Sequence, residues 1–64
     1  MMVLRYSELK KELKKIGCRL QREGGNHEIW YSPVTDRVFP VSRHDGEEIP
    51  RGTLNSIKKD AGLE

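Results

Sequence analysis

The stretch Asn26-His27-Glu28-Ile29-Trp30, directly after Gly24-Gly25, sets a histidine beside a tight turn at the mouth of a strand. A side chain so placed is held by a sheet and open to solvent. Histidine is the side chain whose unperturbed pKa, ~6.5, lies closest to neutrality, so a fixed and accessible imidazole can take or give a proton under cellular conditions. His27 is therefore the first candidate for acid-base chemistry, weighed against the plainer reading of a solvated histidine without a role. His44, in Ser42-Arg43-His44-Asp45-Gly46, joins it only if the sheet curls that loop toward the hairpin. The two histidines lack a third ligand at any recognised zinc spacing, so no metal site is expected. Ser-His-Asp order, a phosphate-binding glycine loop and a dinucleotide fingerprint are all missing, and no cofactor is expected. Acid-base or binding chemistry remains.

Cations are the second resource. Lys10, Lys11, Lys14 and Lys15 repeat at i, i+4 and would lie along the face of a first helix away from Leu9 and Leu13. With Arg19, Arg22, Arg37, Arg43, Lys58 and Lys59 elsewhere, they can meet phosphates without reading sequence, although a solvated helix face explains the lysines as well. The formal charge of +2, from twelve Lys and Arg against ten Asp and Glu, is too mild to imply nucleic acid by itself. Trp30 and Tyr31 can stack on unpaired bases or serve the core. Burial is favoured for Trp30, because a domain with so few large side chains needs it for packing.

The elements that must position these residues follow from periodicity. Ser7 and Glu8 read as an N-cap and first-turn acid, and Leu9, Leu13 and Ile16 recur on one helical face until Gly17. Gly17 suits a left-handed ending in which Cys18 closes over Leu13. Cys18 to Glu23 alternates as a half-buried strand, Gly24-Gly25 forms a two-residue turn, and His27 to Ser32 is the second strand. There His27, Ile29 and Tyr31 share one face and Glu28, Trp30 and Ser32 the other, with the inward side undecided. After turn chemistry from Pro33 to Asp36, Arg37 to Ser42 forms a third strand, and its Pro40 belongs at an edge or a bulge. A polar loop runs from Asp45 through Gly52, and Thr53 caps a last helix bearing Leu54, Ile57 and Ala61 before Gly62 stops it. Leu63 then folds back on the core. The expected fold is α+β: α-β-β-β-α, as in double-stranded-RNA-binding domains, with a three-stranded antiparallel meander and two helices on one face.

Size sharpens this. A chain of 64 residues buries only ~60% of the surface its unfolded form exposes, so one thin-cored domain spanning 1–64 and an open rather than enclosed site are expected. Hydrophobic and charged residues each make up 34%. Nothing approaches the ~20 apolar residues of a membrane span, the N-terminus Met1-Met2-Val3-Leu4 holds no signal segment, and a lone cysteine suits a reducing cytoplasm.

Gly25-Asn26-His27-Glu28-Ile29-Trp30, then Val38-Phe39-Pro40-Val41, His44, Gly52-Thr53-Leu54 and Ala61-Gly62-Leu63 together resemble the HicA family of toxins. Each piece is weak alone; their order, spacing and chain length carry the match. The resemblance implies a type II toxin-antitoxin module in which a small endoribonuclease cleaves mRNA and halts translation until a HicB-type antitoxin occludes it; with His27 as acid-base group, that cleavage is expected to need no metal. It implies His27 as the catalytic residue and His44 as a supporting one. Asn26 stands where the family usually carries serine, and Glu28 where a further histidine is frequent. The remaining readings are an RNA-binding module without catalysis, in which His27 is one polar contact among several, and a domain that only docks a protein partner.

Overall fold

The computed structural model describes residues 4–63. Met1, Met2 and Val3, where the N-terminal reading begins, lie outside the described residues. The order is α1 (Tyr6–Lys15), β1 (Arg19–Gly24), β2 (His27–Ser32), β3 (Arg37–Ser42) and α2 (Arg51–Ala61). The strands form one antiparallel meander with β2 in the middle. The expected α+β architecture is the observed one.

Helix α1 begins earlier than Ser7. Its first N–H groups are taken by backbone carbonyls of the later loop, Tyr6 N to Glu47 O at 3.1 Å and Ser7 N to Asp45 O at 3.0 Å, while the Glu8 carboxylate accepts the Arg5 N–H at 3.0 Å. A tertiary partner thus replaces the side-chain cap that local sequence suggests. The ending is the expected one. Gly17, at φ +93°, lets Cys18 N reach Leu13 O at 2.9 Å and Gly17 N reach Lys14 O at 3.1 Å, and Cys18 and Leu13 are both buried.

β1 departs from the half-buried reading. All six of its residues are exposed, and a bulge between Leu20 and Arg22 breaks the alternation, so this edge strand gives the core little while Cys18, just before it, is buried. The hairpin turn is Gly25-Asn26, one residue later than expected. Gly24 pairs with His27, and Gly25 alone supplies positive φ, +35°. β2 and β3 keep their expected limits, and Pro40 lies on the outer strand, where a missing N–H costs no ladder bond. α2 starts at Arg51 rather than after Thr53, because Pro50, at φ −56°, is already set for a helix entry and its carbonyl accepts the Leu54 N–H at 2.9 Å.

The inward side of β2 is now fixed: Trp30 and Ser32 are buried, and His27 is exposed. Trp30, Phe39 and Val41 of the sheet join Tyr6, Leu9 and Leu13 of α1, Ile57 and Ala61 of α2, Cys18 and Ile49 in one core. Both helices cover this face, and the other is left open. Ser32 Oγ donates to Ala61 O at 2.6 Å, tying the middle strand to the end of α2.

There Gly62 takes φ +82°, and Leu63 packs against the core, as expected. A Cβ on Gly62 would fall 2.6 Å from Val34 Cγ1. Gly62→Ala should therefore cost ~1–2 kcal/mol in backbone strain alone, with displacement of the 33–36 turn added, and lower the melting temperature by at least about 4 °C. A thermal melt followed by circular dichroism reads this; an unchanged transition would mean that the turn yields freely.

Candidate active site at the hairpin turn

The turn between β1 and β2 and the loop after β3 meet at one end of the sheet. Cross-strand pairing sets His27 opposite Ser42, two residues before His44. Arg43 then closes the junction, its backbone N–H reaching Asn26 O at 3.4 Å and its Nη1 reaching Gly25 O at 2.9 Å. Gly25, Asn26, Arg43 and His44 line an open cavity of about 270 Å³. His27 follows Asn26 directly on the open face. The curl that the sequence left conditional is present, and both histidines are exposed.

The loop carrying His44 is held at several points. His44 N donates to Ser42 Oγ at 3.1 Å, Glu47 N to His44 O at 3.1 Å, and the next residue, Asp45, takes its carboxylate to the Lys10 ammonium. Lys10 also pairs with Glu28 at 3.0 Å, and Glu28 receives the Trp30 indole N–H at 3.0 Å. Backbones are fixed while imidazoles stay free, as acid-base groups require.

Burial alone would lower the Lys10 pKa, but hydrogen bonds and charge contacts with Asp45 and Glu28 outweigh it and hold the ammonium above its ordinary value. Burial likewise pushes the Glu28 carboxyl up, and Trp30 with Lys10 more than reverses this, leaving it below the ordinary glutamate value. Glu28 therefore remains a carboxylate on the sheet face away from His27, serving as a structural anion.

The structure gathers Asn26, Arg43 and His44 around one cavity, sets His27 beside them through its pairing with Ser42 though not in the cavity lining, and registers Arg22 opposite Ile29 on the same open face as His27. It does not bring the α1 lysines there. Lys11 and Lys14 are exposed on a helix that packs on the other face, and Lys10 leaves their row altogether, being only 9% exposed. The expected placement of Lys10 on the solvent face is thus corrected: Tyr6, Leu9, Lys10 and Leu13 follow i, i+3, i+4, i+7, and all four are buried. That spacing was the signal sequence reasoning missed, because a start at Ser7 left Tyr6 outside the helix. Arg43 divides its guanidinium between Gly25 O and Glu23, 3.8 Å away, so it staples the turn as well as charging it.

A separate cavity of about 300 Å³ lies between β3 and α2 among Phe39, Pro40, Thr53 and Ser56. Asp60 is its one titratable lining group, and no histidine reaches it. Among the described residues there is no cluster of three His, Cys, Asp or Glu side chains placed to hold a metal, and no helix long and apolar enough to cross a membrane.

These features define a small α+β domain that presents two exposed histidines at one open end of its sheet. The family model for the HicA toxin of bacterial toxin-antitoxin systems matches residues 6–63, nearly the whole chain, and the chain belongs to that family. It is accordingly the toxin of such a system, and an antitoxin is the kind of partner its family implies. No curated protein matches the chain.

Proposed function

We propose that this toxin is an mRNA endoribonuclease that needs no metal, with His27 as its general base, and that a HicB-type antitoxin silences it. The observation that carries the reading is the junction at the hairpin turn, where an exposed His27 on a paired strand faces solvent beside the tethered loop of His44. Neutral His27 accepts the ribose 2′-hydroxyl proton, the 2′-oxygen bonds to the adjacent phosphorus, and the bond from phosphorus to the 5′-oxygen breaks. A 2′,3′-cyclic phosphate and a 5′-hydroxyl result. His44 or a water beside it protonates the leaving oxygen, Asn26 offers an amide to a phosphate oxygen, and Arg22 and Arg43 supply positive charge as negative charge builds. Lys11 and Lys14 serve at most as outlying phosphate contacts. An open basic site of this kind suits occlusion by an acidic partner surface covering His27 and Arg43, and translation would stop in the cytoplasm when that partner is lost.

Single-stranded mRNA incubated with the protein in excess EDTA should be cut, and RNA blocked at the 2′-oxygen should stay intact. Cleavage of the blocked RNA, or of DNA, would rule out this mechanism. Intact mRNA retained by folded protein on a native gel would point to an RNA-binding module without catalysis.

A further inference from the structure

The open face of the sheet is more than the back of a fold. Three cross-strand rows lie on it: Gly24, His27 and Ser42; Arg22, Ile29 and Pro40; Arg19, Tyr31 and Val38. No strand residue in these rows carries a carboxylate, two are arginines, and one is a half-buried tyrosine on the same strand face as His27. Trp30, the other aromatic of β2, is buried on the opposite face. Tyr31 is held in place. Its hydroxyl donates to Asp36 Oδ1 at 2.7 Å, and Asp36 sits at φ +57° in the turn that follows.

We infer that this face is a track for single-stranded RNA, with the Tyr31 ring as a base-stacking platform and Arg19 and Arg22 as phosphate contacts along it. The inference rests on the nuclease reading for where cleavage occurs and adds what that reading leaves open, the residues that hold the strand away from the cut. Bases paired in a duplex cannot present their faces to a flat sheet, whereas unpaired bases can, so a half-exposed aromatic here selects single strands. The Arg19 guanidinium lies over the ring at 5.5 Å from its centroid. A solvent-exposed contact of that kind is worth ~2- to 5-fold in an equilibrium, against ~5- to 150-fold for a stacked base. An arriving base therefore displaces Arg19, which is then free to meet the phosphate beside it. Tyr31 lies four residue steps along the strand from His27, about 14 Å at ~3.4 Å per residue. The stacked base thus lies about four nucleotides from the cut at the ~3.4 Å spacing of a stacked strand, and fewer if the strand is extended.

Binding is measured in a His27→Ala background, which keeps the RNA whole under the nuclease reading, using a short fluorescein-labelled single-stranded RNA and the same RNA annealed to its complement. Tyr31→Leu, which keeps bulk and removes the ring, should weaken single-strand affinity ~5- to 150-fold and leave duplex affinity as it was. Tyr31→Phe should bind as the parent does. Equal single-strand binding by Tyr31→Leu overturns the platform, and so does an equal loss in Tyr31→Phe, which would trace the effect to the Asp36 hydrogen bond. The nuclease reading survives either result if the native protein still cuts RNA and His27→Ala cuts it ~100- to 10,000-fold more slowly. Absence of any RNA affinity overturns both.

Discussion

His27→Ala should fold like the parent and cut RNA ~100- to 10,000-fold more slowly. Its stability should move by no more than ~0.5 kcal/mol, because His27 is exposed at the start of β2 and makes no side-chain hydrogen bond among the described residues. What is lost is proton transfer at the 2′-oxygen, a step made only in the transition state, so single-turnover rate at saturating protein should fall while RNA affinity changes little. His44→Ala should lose less, since a water can protonate the leaving oxygen in its place. Equal single-turnover rates for His27→Ala and parent would remove His27 from the chemistry. That result would leave the family assignment untouched and move the site to another group at the same junction.

How much of this the sequence contained depends on the range of each interaction. Strands β2 and β3 were legible to the residue because their limits are set locally, by turn residues on either side, whereas the inward face of β2 was not, since apolar groups lie on both of its faces. The Gly17 ending and the packing of Cys18 on Leu13 were equally local. Where partners came from far along the chain, sequence reading slipped. The α1 start depends on carbonyls of Asp45 and Glu47, and the exposure of β1 depends on a bulge and on its place at the sheet edge. The one-residue error at the hairpin is different in kind: Gly24 and Gly25 can both take positive φ, and cross-strand pairing chose the second. For the candidate site, the placement of His27 beside its turn was visible. Its nearness to the His44 loop was not, because that follows from the pairing of His27 with Ser42 and from Arg43 bridging to Gly25.

Lys10 shows the same limit with the largest energetic consequence. Replacing it by Met keeps the stem among Tyr6, Leu9 and Leu13 and removes the cation, which leaves two carboxylates without their partner. Asp45 has a 59% exposed side chain and can return to water; Glu28, 16% exposed, keeps only the Trp30 N–H. Breaking a fully buried pair costs ~3–5 kcal/mol, and allowance for the solvated Asp45 brings Lys10→Met to ~2–3 kcal/mol. Against ~3–10 kcal/mol of total stability for a chain this size, that is a large fraction. The sign of the pH dependence follows from both shifts. Glu28, depressed in the folded state, contributes stability above its unfolded value near 4.5 and loses it as pH falls through the lower folded value. Lys10, raised, contributes below its unfolded value of 10.5 and loses it as pH rises through the higher folded one. The deficit of Lys10→Met should thus be constant between about pH 5 and 10 and shrink in acid, where protonation of Glu28 removes the uncompensated charge. Adding Glu28→Gln, whose amide oxygen still accepts from Trp30, should recover part of the loss at neutral pH. Urea unfolding followed by fluorescence of Trp30, the one tryptophan, measures all three proteins. A deficit equal at pH 4 and pH 7 would show that the Lys10 stem, and not its charge, is what β2 and the His44 loop lean on.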